Sequence, residues 1–471
     1  MGADHNSDEL TRVLSKVDIF VLAFGAMIGW GWIIQTGYWI DEGGTTGAIL
    51  AFAIGSVMVT TVGLIYGELA SAMPFVGGEH VYSLRALGPA GSFVCTWAII
   101  LGYVSVVIFE AVALPSALAY LVPGFNVLHL WTIAGEPVYA TWVLTGGIGA
   151  VVMTMLNYRG VRPAAQFQTI LTLIIGLAGV TLVIGAIFNG HSTATPSFTD
   201  AGWSGLFTVV VMTPFMFVGF DVIPQAAGEA DVSYRSLGRL IVLSVVMAAA
   251  FYIAVIWASG QSLSGSTLVD SSLPAAAALT SLFNSTVIGR IMALAGIAGI
   301  LTSWNSFIIG GSRAMYALAE ADMLPSRLAT LHPQHGTPSA AIALIGGISV
   351  LAPLFGEQML VWIVDAGSFG IVLAWFFVVI SFLVLRYREP KLERPFKLPG
   401  GYAIGVLGLV LTAFFVGLYL PGAPSALAWP FEWLIVFAWC VLGVLFYHFS
   451  SGSSEDVTME DAKDAFESFE N

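Results

Sequence analysis

Charge is what this 471-residue sequence has least of: 10% of its positions are Asp, Glu, Lys or Arg, where soluble domains carry about 25%. Hydrophobic residues fill 57% of the chain and the mean hydropathy is +0.88, which excludes an ordinary soluble protein. Cysteine is nearly absent. Cys95 and Cys440 are the only two, distant in sequence and both within apolar runs, so a disulfide framework is not expected. Catalytic signatures are missing as well: there is no Walker loop, no HExxH pair and no nucleophile motif. Five of the seven histidines (His5, His191, His332, His335 and His448) fall in tails, loops or a helix end. An enzyme reading therefore finds little, and no cofactor is expected. No cleavable signal is visible, because the polar start Met1 to Lys16 is acidic and the first apolar run is too long for a signal core.

What is present is a series of apolar runs, each long enough to span a bilayer at about 20 residues. They lie near 18–40, 46–73, 90–122, 138–156, 163–188, 203–227, 236–260, 286–319, 338–355, 358–385, 402–421 and 429–449. The fold class expected is an all-α integral membrane protein of about 12 transmembrane helices.

Lys and Arg set the orientation of such a protein. With the N-terminus inside, the cytoplasmic segments hold Arg12, Lys16, Arg85, Arg159, Arg162, Arg235, Arg239, Arg313 and Arg327. The loop after the tenth run adds Arg386, Arg388, Lys391, Arg394 and Lys397, and the tail adds Lys463. That is 15 of 16 cations, with only Arg290 outside, and both termini are expected in the cytoplasm of a multi-pass cell-membrane protein. The net charge of −13 owes much to the stretch from Ser451 to Asn471, where seven acids and one lysine contribute −6; this tail reads as disordered. Asn284-Ser285-Thr286 forms a glycosylation sequon in an expected outer loop.

Gly25-Ala26-Met27-Ile28-Gly29-Trp30-Gly31-Trp32 lies inside the uncharged stretch Ile19 to Ile40 and spends three glycines within seven residues. Each costs roughly 1 kcal/mol against alanine in a helix. Glycine lets the backbone leave the helix and lets another group approach it closely. Unwound backbone at membrane depth survives only against protein or a water-filled cavity. The first helix is therefore expected to break at a binding site.

The sixth run holds a second candidate break, Pro214-Phe215-Met216-Phe217-Val218-Gly219-Phe220-Asp221, followed by Pro224. Proline removes a backbone donor and clashes with the preceding turn. Breaks in runs one and six leave five helices per unit, an odd number, so the second unit starts from the opposite side as an inverted repeat. Matched breaks of this kind point to a secondary-transporter site. Close helix packing on small residues is the competing explanation for the glycines. The expected domains are a segment 1–17, a transporter domain 18–449 (repeats 18–188 and 203–385, then helices at 402–449) and a tail 450–471.

Further residues carry a family resemblance. The end of helix two reads Glu68-Leu69, then Pro74, Gly77-Gly78, Tyr82, Arg85 and Gly88-Pro89. Asn157-Tyr158-Arg159-Gly160-Val161 enters helix five. After helix eight come Ser312-Arg313, Tyr316, Ala317-Leu318-Ala319, Leu324-Pro325, His332-Pro333 and Gly336-Thr337-Pro338, and Arg394 to Pro399 reads RPFKLP. In order and spacing the chain resembles the amino acid–polyamine–organocation (APC) superfamily of permeases over nearly its whole length. The resemblance implies the five-plus-five inverted-repeat (LeuT-like) fold with two appended helices, and uptake or exchange of amino acids or related amines. In relatives an acid stands at the Asp221 position and in some responds to protons.

The expected substrate site is built from Ala26, Ile28, Gly29, Trp30, Gly31, Tyr103, Phe215, Phe217, Gly219 and Asn305. Amides of Gly29, Trp30 and Gly31 at the start of the outer half-helix suit a carboxylate. Carbonyls around Ala26–Ile28 and Val218–Gly219 would accept from an amine. Trp30 departs from the family pattern, where a small residue is usual. With Trp32, Phe215, Phe217 and Phe220 it could surround a cation, a contact worth about 2 kcal/mol when desolvated; packing or gating explains these rings equally.

Coupling or gating is expected of Asp221, Glu110, Phe220, Ser303 and Ser306. Acids within a span suggest a functional pairing or a proton relay. Glu110 could instead bind a substrate cation or simply hydrogen-bond a neighbouring helix. Glu68 is expected at the inner gate. No lysine lies in helix five, where Ile175 occupies the place of the lysine that replaces sodium in some relatives. No metal centre is expected otherwise; Thr302, Ser303 and Ser306 are candidates for sodium, although ordinary hydrogen bonding between helices explains them too.

The sequence thus reads as a secondary transporter of a small amino acid, proton-linked or exchanging, working by alternating access as a monomer or homodimer. A small organic amine (ethanolamine, choline or polyamine type) is the alternative substrate. A channel or receptor would not need two matched breaks.

Overall fold

The computed structural model describes residues 10, 12–191, 202–423 and 426–450. The sequence-predicted acidic tail beyond residue 450, and the start of the N-terminal segment, lie outside these residues.

The first apolar run folds as two helices. Ser15 caps α1 (Lys16–Met27) in a capping box: its hydroxyl accepts from the Asp18 amide at 3.3 Å while the Asp18 carboxylate accepts from the Ser15 amide at 2.9 Å. Helical bonding stops at Ile28, and the chain resumes as α2 (Gly31–Ala72). Within α2, Gly44 (φ 70°, ψ 166°) ends the second half of the first span and begins the next one. Helix α3 (Glu79–Leu121) starts eleven residues before the apolar run expected from residue 90, because it continues through the loop-like Gly88-Pro89 pair, with Gly88 at φ 77°.

A short hairpin, β1 (His129–Ile133) with β2 (Glu136–Tyr139), then leads into α4 (Ala140–Tyr158) and α5 (Val161–Asn189). The sixth run is divided more finely than expected, into α6 (Trp203–Val210), α7 (Thr213–Phe217) and α8 (Val222–Gln225). Pro214 opens α7 in the first turn, where its missing N–H has no intrahelical role. Next come α9 (Tyr234–Gly260) and two short helices, α10 (Gly265–Val269) and α11 (Pro274–Phe283), in the connection between the apolar runs 236–260 and 286–319. Then follow α12 (Thr286–Glu320), α13 (Ser339–Leu351), α14 (Gln358–Arg388), α15 (Gly401–Leu418) and α16 (Phe431–Ser450).

Ten helical stretches among the described residues are long and apolar enough to cross a bilayer. The two halves of the first span and the shorter helix at Ser339–Phe355 account for the other two expected runs. Helix α3 is the innermost, packed between α12 and α14. The outer helices expose apolar stripes at helical spacing: on α5, Ile170, Leu173 and Leu177 are 60%, 62% and 64% exposed. Apolar surface this continuous has no place in water and faces lipid. The chain is a multi-pass membrane protein.

The loops richest in Lys and Arg meet on one face. Glu68 is fully buried there; it accepts from Arg386 at 2.9 and 2.5 Å and from the Leu398 amide at 2.7 Å, and forms an ion pair with Arg394 at 3.0 Å. That anchors the Arg394–Pro399 loop to the second span. Arg85 meets Glu389 at 2.9 and 2.7 Å. Arg313 makes a two-point pair with Glu229 at 2.8 and 2.9 Å, both side chains 2% exposed or less. Leu14 pairs in strand fashion with the segment after α8: its amide donates to the Glu229 carbonyl and its carbonyl accepts from the Asp231 amide, each at 2.9 Å.

Candidate functional site

The two interruptions face one another. Gly219 has φ +133°, a conformation that side-chain-bearing residues rarely adopt, and a Cβ there would lie 2.6 Å from that of Ala26. Gly29 is pressed against α12, where a Cβ would come 2.7 Å from the Ser303 hydroxyl and 3.2 Å from the Gly299 carbonyl. Backbone from the first span thus touches backbone from the sixth on one side and α12 on the other.

Between them lies a small cavity of about 30 Å³. The first break contributes Ala26, Met27, Gly29, Trp30 and Gly31 to its wall; α3 contributes Val106, Phe109 and Glu110. Phe215, Met216 and Val218 come from α7 and its end, Tyr252 from α9, and Ser303 and Phe307 from α12. Glu110 is the only residue with a formal charge among them. Its Oε1 accepts from the Ser303 hydroxyl.

Of the residues expected in the substrate site, Ala26, Gly29, Trp30, Gly31 and Phe215 line this cavity, as do Glu110 and Ser303 from the coupling set. The others lie behind the wall. The Ile28 carbonyl accepts from the indole N–H of Trp32 at 3.2 Å, which turns Trp32 toward the ring of Phe251. Phe217 packs on Phe52 and Tyr252. Tyr103 packs on the far side of Phe307, with ring centroids 5.5 Å apart. Asp221 is buried at the sixth-span break, accepting from the Gly219 amide at 3.0 Å and from the Trp375 indole at 2.9 Å, and Phe220 sits between Tyr66 and Trp375. So Asp221 ties the break to α14.

Asn305 joins three helices. It accepts from Asn157 at 3.0 Å and donates to the Ala164 carbonyl at 3.1 Å and to Gln168 at 3.0 Å. Ser306 accepts from Gln168 at 3.0 Å and donates to the Leu22 carbonyl at 2.9 Å. Thr302 donates to the Gly299 carbonyl of its own helix at 2.8 Å. Of the three hydroxyls named for sodium, those of Thr302 and Ser303 share the Gly299 carbonyl, at 2.8 and 3.0 Å, while that of Ser306 turns to Leu22 and Gln168.

Tyr252 escaped the sequence reading. Its hydroxyl reaches the Met27 carbonyl at 2.6 Å and the Met216 carbonyl at 3.0 Å, bridging the two breaks. Phe109 and Phe307 also line the cavity without having been singled out. A hydroxyl-bearing ring in the apolar run 236–260, well past Arg239 near its start, was the one available cue to Tyr252.

The amides after the first break precede the intrahelical bonding of α2, whose first link runs from the Ile33 amide to the Trp30 carbonyl at 2.9 Å. With them stand one carboxylate and a mostly apolar wall that includes five aromatic rings. This is a small, largely apolar cavity with a few convergent polar groups.

Comparison with known proteins agrees with this architecture. The amino acid permease family model matches residues 14–447. Over 424 residues the chain is 25% identical to the branched-chain amino acid permease BcaP of Bacillus subtilis (strain 168), covering 88% of this chain and 90% of that protein. It is 24% identical over 453 residues to the methylthioribose transporter of the same organism, covering 95% of each. It is 25% identical over 419 residues to that organism's aspartate-proton symporter, covering 86% of this chain and 79% of the other. With matched helix breaks, a cavity between them and a family match over most of its length, the chain belongs to the amino acid permease family of the APC superfamily.

Proposed function

We propose that this permease is a secondary transporter that moves a small amino acid by alternating access, proton-linked or by exchange. The observation that carries the reading is the cavity at the meeting point of the two interrupted spans, lined by Gly29, Trp30 and Gly31 on one side and Phe215, Met216 and Val218 on the other. Unwound backbone at that depth is tolerated where it lines a cavity, and it gives a zwitterion polar partners without a cluster of charged side chains. The α-carboxylate rests at the amides of Gly29 to Gly31.

The segments 18–188 and 203–385 act as inverted halves, a reading supported by their interruptions in the first span of each. The bundle of spans 1, 2, 6 and 7 rocks against the remainder, and the face that joins Glu68 to Arg386 and Arg313 to Glu229 is the cytoplasmic one, as the distribution of Lys and Arg favours. Asp221 and Glu110 are the acids available for proton linkage, with sodium at Thr302, Ser303 and Ser306 as the other route to coupling. Relatives named for a branched-chain amino acid, for aspartate and for methylthioribose show how widely substrates vary on this architecture.

A small organic amine is the second reading. It is favoured by the five rings of Trp30, Phe109, Phe215, Tyr252 and Phe307 around the cavity that holds Glu110.

Purified protein in proteoliposomes tests the transport reading, with uptake of radiolabelled amino acids and amines measured against proton and sodium gradients. Saturable uptake of an amino acid supports it. Stabilisation and uptake of carboxylate-free amines alone would replace the amino acid by the amine, and large ionic currents without saturable uptake would make the protein a channel.

A further inference from the structure

The geometry points to Glu79 as the holder of the coupling proton, in a buried two-carboxylate site with Asp221 that lies outside the cavity; the assignment rests on the transporter reading above. Glu79 opens α3 directly after the Gly77-Gly78 turn and is fully buried. Its carboxylate accepts from the Tyr66 hydroxyl of the second span at 2.9 Å and from the Gln225 side-chain amide of α8. Asp221 stands one helical turn before Gln225 and is fully buried too. The two acids lie close enough to repel each other when both are charged.

No positive charge offsets them. Ion pairs among the described residues engage Glu68, Glu229 and Glu389, and neither Glu79 nor Asp221 takes part in one. The titratable groups facing Glu79 are Tyr66, Tyr82, Cys95, Tyr103 and Asp221, none of them cationic. The neighbouring His80 turns its ring to the Ser92 hydroxyl at 2.9 Å. The N-terminus of α3 favours a carboxylate, but by only a fraction of what burying a second unpaired charge costs. One of the two acids is therefore neutral.

The partners decide which. Asp221 accepts from the Gly219 amide and the Trp375 indole, groups that donate and cannot accept, so its carboxylate form is the one they hold. The partners of Glu79 can reverse. A tyrosine hydroxyl both donates and accepts, and Gln225 Oε1 has no hydrogen-bond partner among the described residues, so it receives the carboxyl proton once the amide turns. A hard cation would need several oxygens around an open space. Here the space is filled: Tyr66 sits between Tyr82 and Phe220, with ring centroids 6.4 and 5.3 Å away, and a Cβ on Gly78 would come 2.8 Å from that of Pro224.

The charge also stands where it can move the chain. Glu79 and the Gly77 amide, which donates to the Gln225 carbonyl at 3.4 Å, dock α8 on the turn between the second and third spans. With the proton in place these are bonds between neutral groups. Its loss leaves two buried carboxylates repelling each other and drives α8 away from α3, so proton release and opening of the face at Glu229 become one event.

The test uses the full chain in proteoliposomes, with a panel of radiolabelled L-amino acids and small amines and an internal pH dye. The wild type is expected to carry protons inward with its substrate and to accumulate that substrate at least tenfold under an inward proton gradient. Glu79→Gln has the size and bonding of the neutral acid; it should lose the accumulation, while substrate counterflow continues and becomes flat with pH. Accumulation by Glu79→Gln at the wild-type level overturns the assignment. Counterflow and accumulation that fall together in the variant make Glu79 a structural residue and overturn it too. So does wild-type transport that moves no protons, whether or not a sodium gradient drives it, a measurement that needs no variant to fold. A wild type that shows no counterflow with any compound of the panel would remove the transporter reading itself, a separate failure.

Discussion

Trp30 is seated on Gly296: a Cβ added to that glycine would come 2.8 Å from the indole Cε3, and 2.9 Å from Cδ1 of Ile33. The small residue that the family pattern leads one to expect at position 30 is, in effect, found on α12, where it makes room for the large one. Bulk in the cavity is thus set by a pair of positions. Trp30→Ser should admit larger amino acids, seen as new stabilising ligands in a thermal-shift panel, while costing roughly 3–5 kcal/mol of stability for the lost ring. Gly296→Ala should push the indole into the cavity and weaken binding, and the double variant should recover it. Selectivity that is unchanged in Trp30→Ser would make the ring a packing element only.

Arg313 and Glu229 form the most deeply buried ion pair among the described residues. Glu229→Gln strands the guanidinium and should cost about 3–5 kcal/mol in unfolding free energy. Removing both charges with Glu229→Gln and Arg313→Met should cost less than the single change. If the pair also holds its face closed, a cysteine placed near residue 230 should react faster with a membrane-permeant thiol reagent in the double variant than in wild type.

Gly219→Ala asks a residue with a Cβ to adopt φ +133° against Ala26. The backbone penalty alone is of order 1–3 kcal/mol, and the clash adds to it. Uptake should fall sharply even where the protein still reaches the membrane. Uptake at the wild-type rate would mean that the sixth-span break does not need this conformation.

Trp97 and Trp439 exchange hydrogen bonds, each indole N–H donating to the other's carbonyl at 2.9 Å, with the rings stacked at 4.5 Å. This contact fastens α16 to α3. Trp439→Phe keeps an aromatic ring and should lose about 1 kcal/mol. Hydrogen exchange should rise across 431–450 and stay unchanged at the cavity.

How much of this was legible in sequence depends on what kind of signal each residue leaves. Gly25 to Gly31 and Gly219 announced both interruptions because glycine inside an apolar span is costly and conspicuous. Which side chains enter the cavity was far less visible. In a membrane protein lipid-facing and inward-facing residues are both apolar, so periodicity does not separate Phe109 and Phe307, in the wall, from Phe217, behind it. Trp32 turned away because its N–H folds back on Ile28, a local bond that no spacing rule anticipates. The loops hid structure for the opposite reason: the hairpin at 129–139 and the helices at 265–269 and 274–283 are too short to leave a periodic trace.

The first and sixth spans are cross-tied at three depths: Leu14 to the strand segment at Ala230, Ala26 against Gly219, and Tyr252 across the carbonyls of Met27 and Met216. Mechanically, three ties along one seam turn two jointed rods into a single lever with one shared rotation. A ligand that works at either joint then moves both, and the protein needs no separate signal to keep its two broken helices in step.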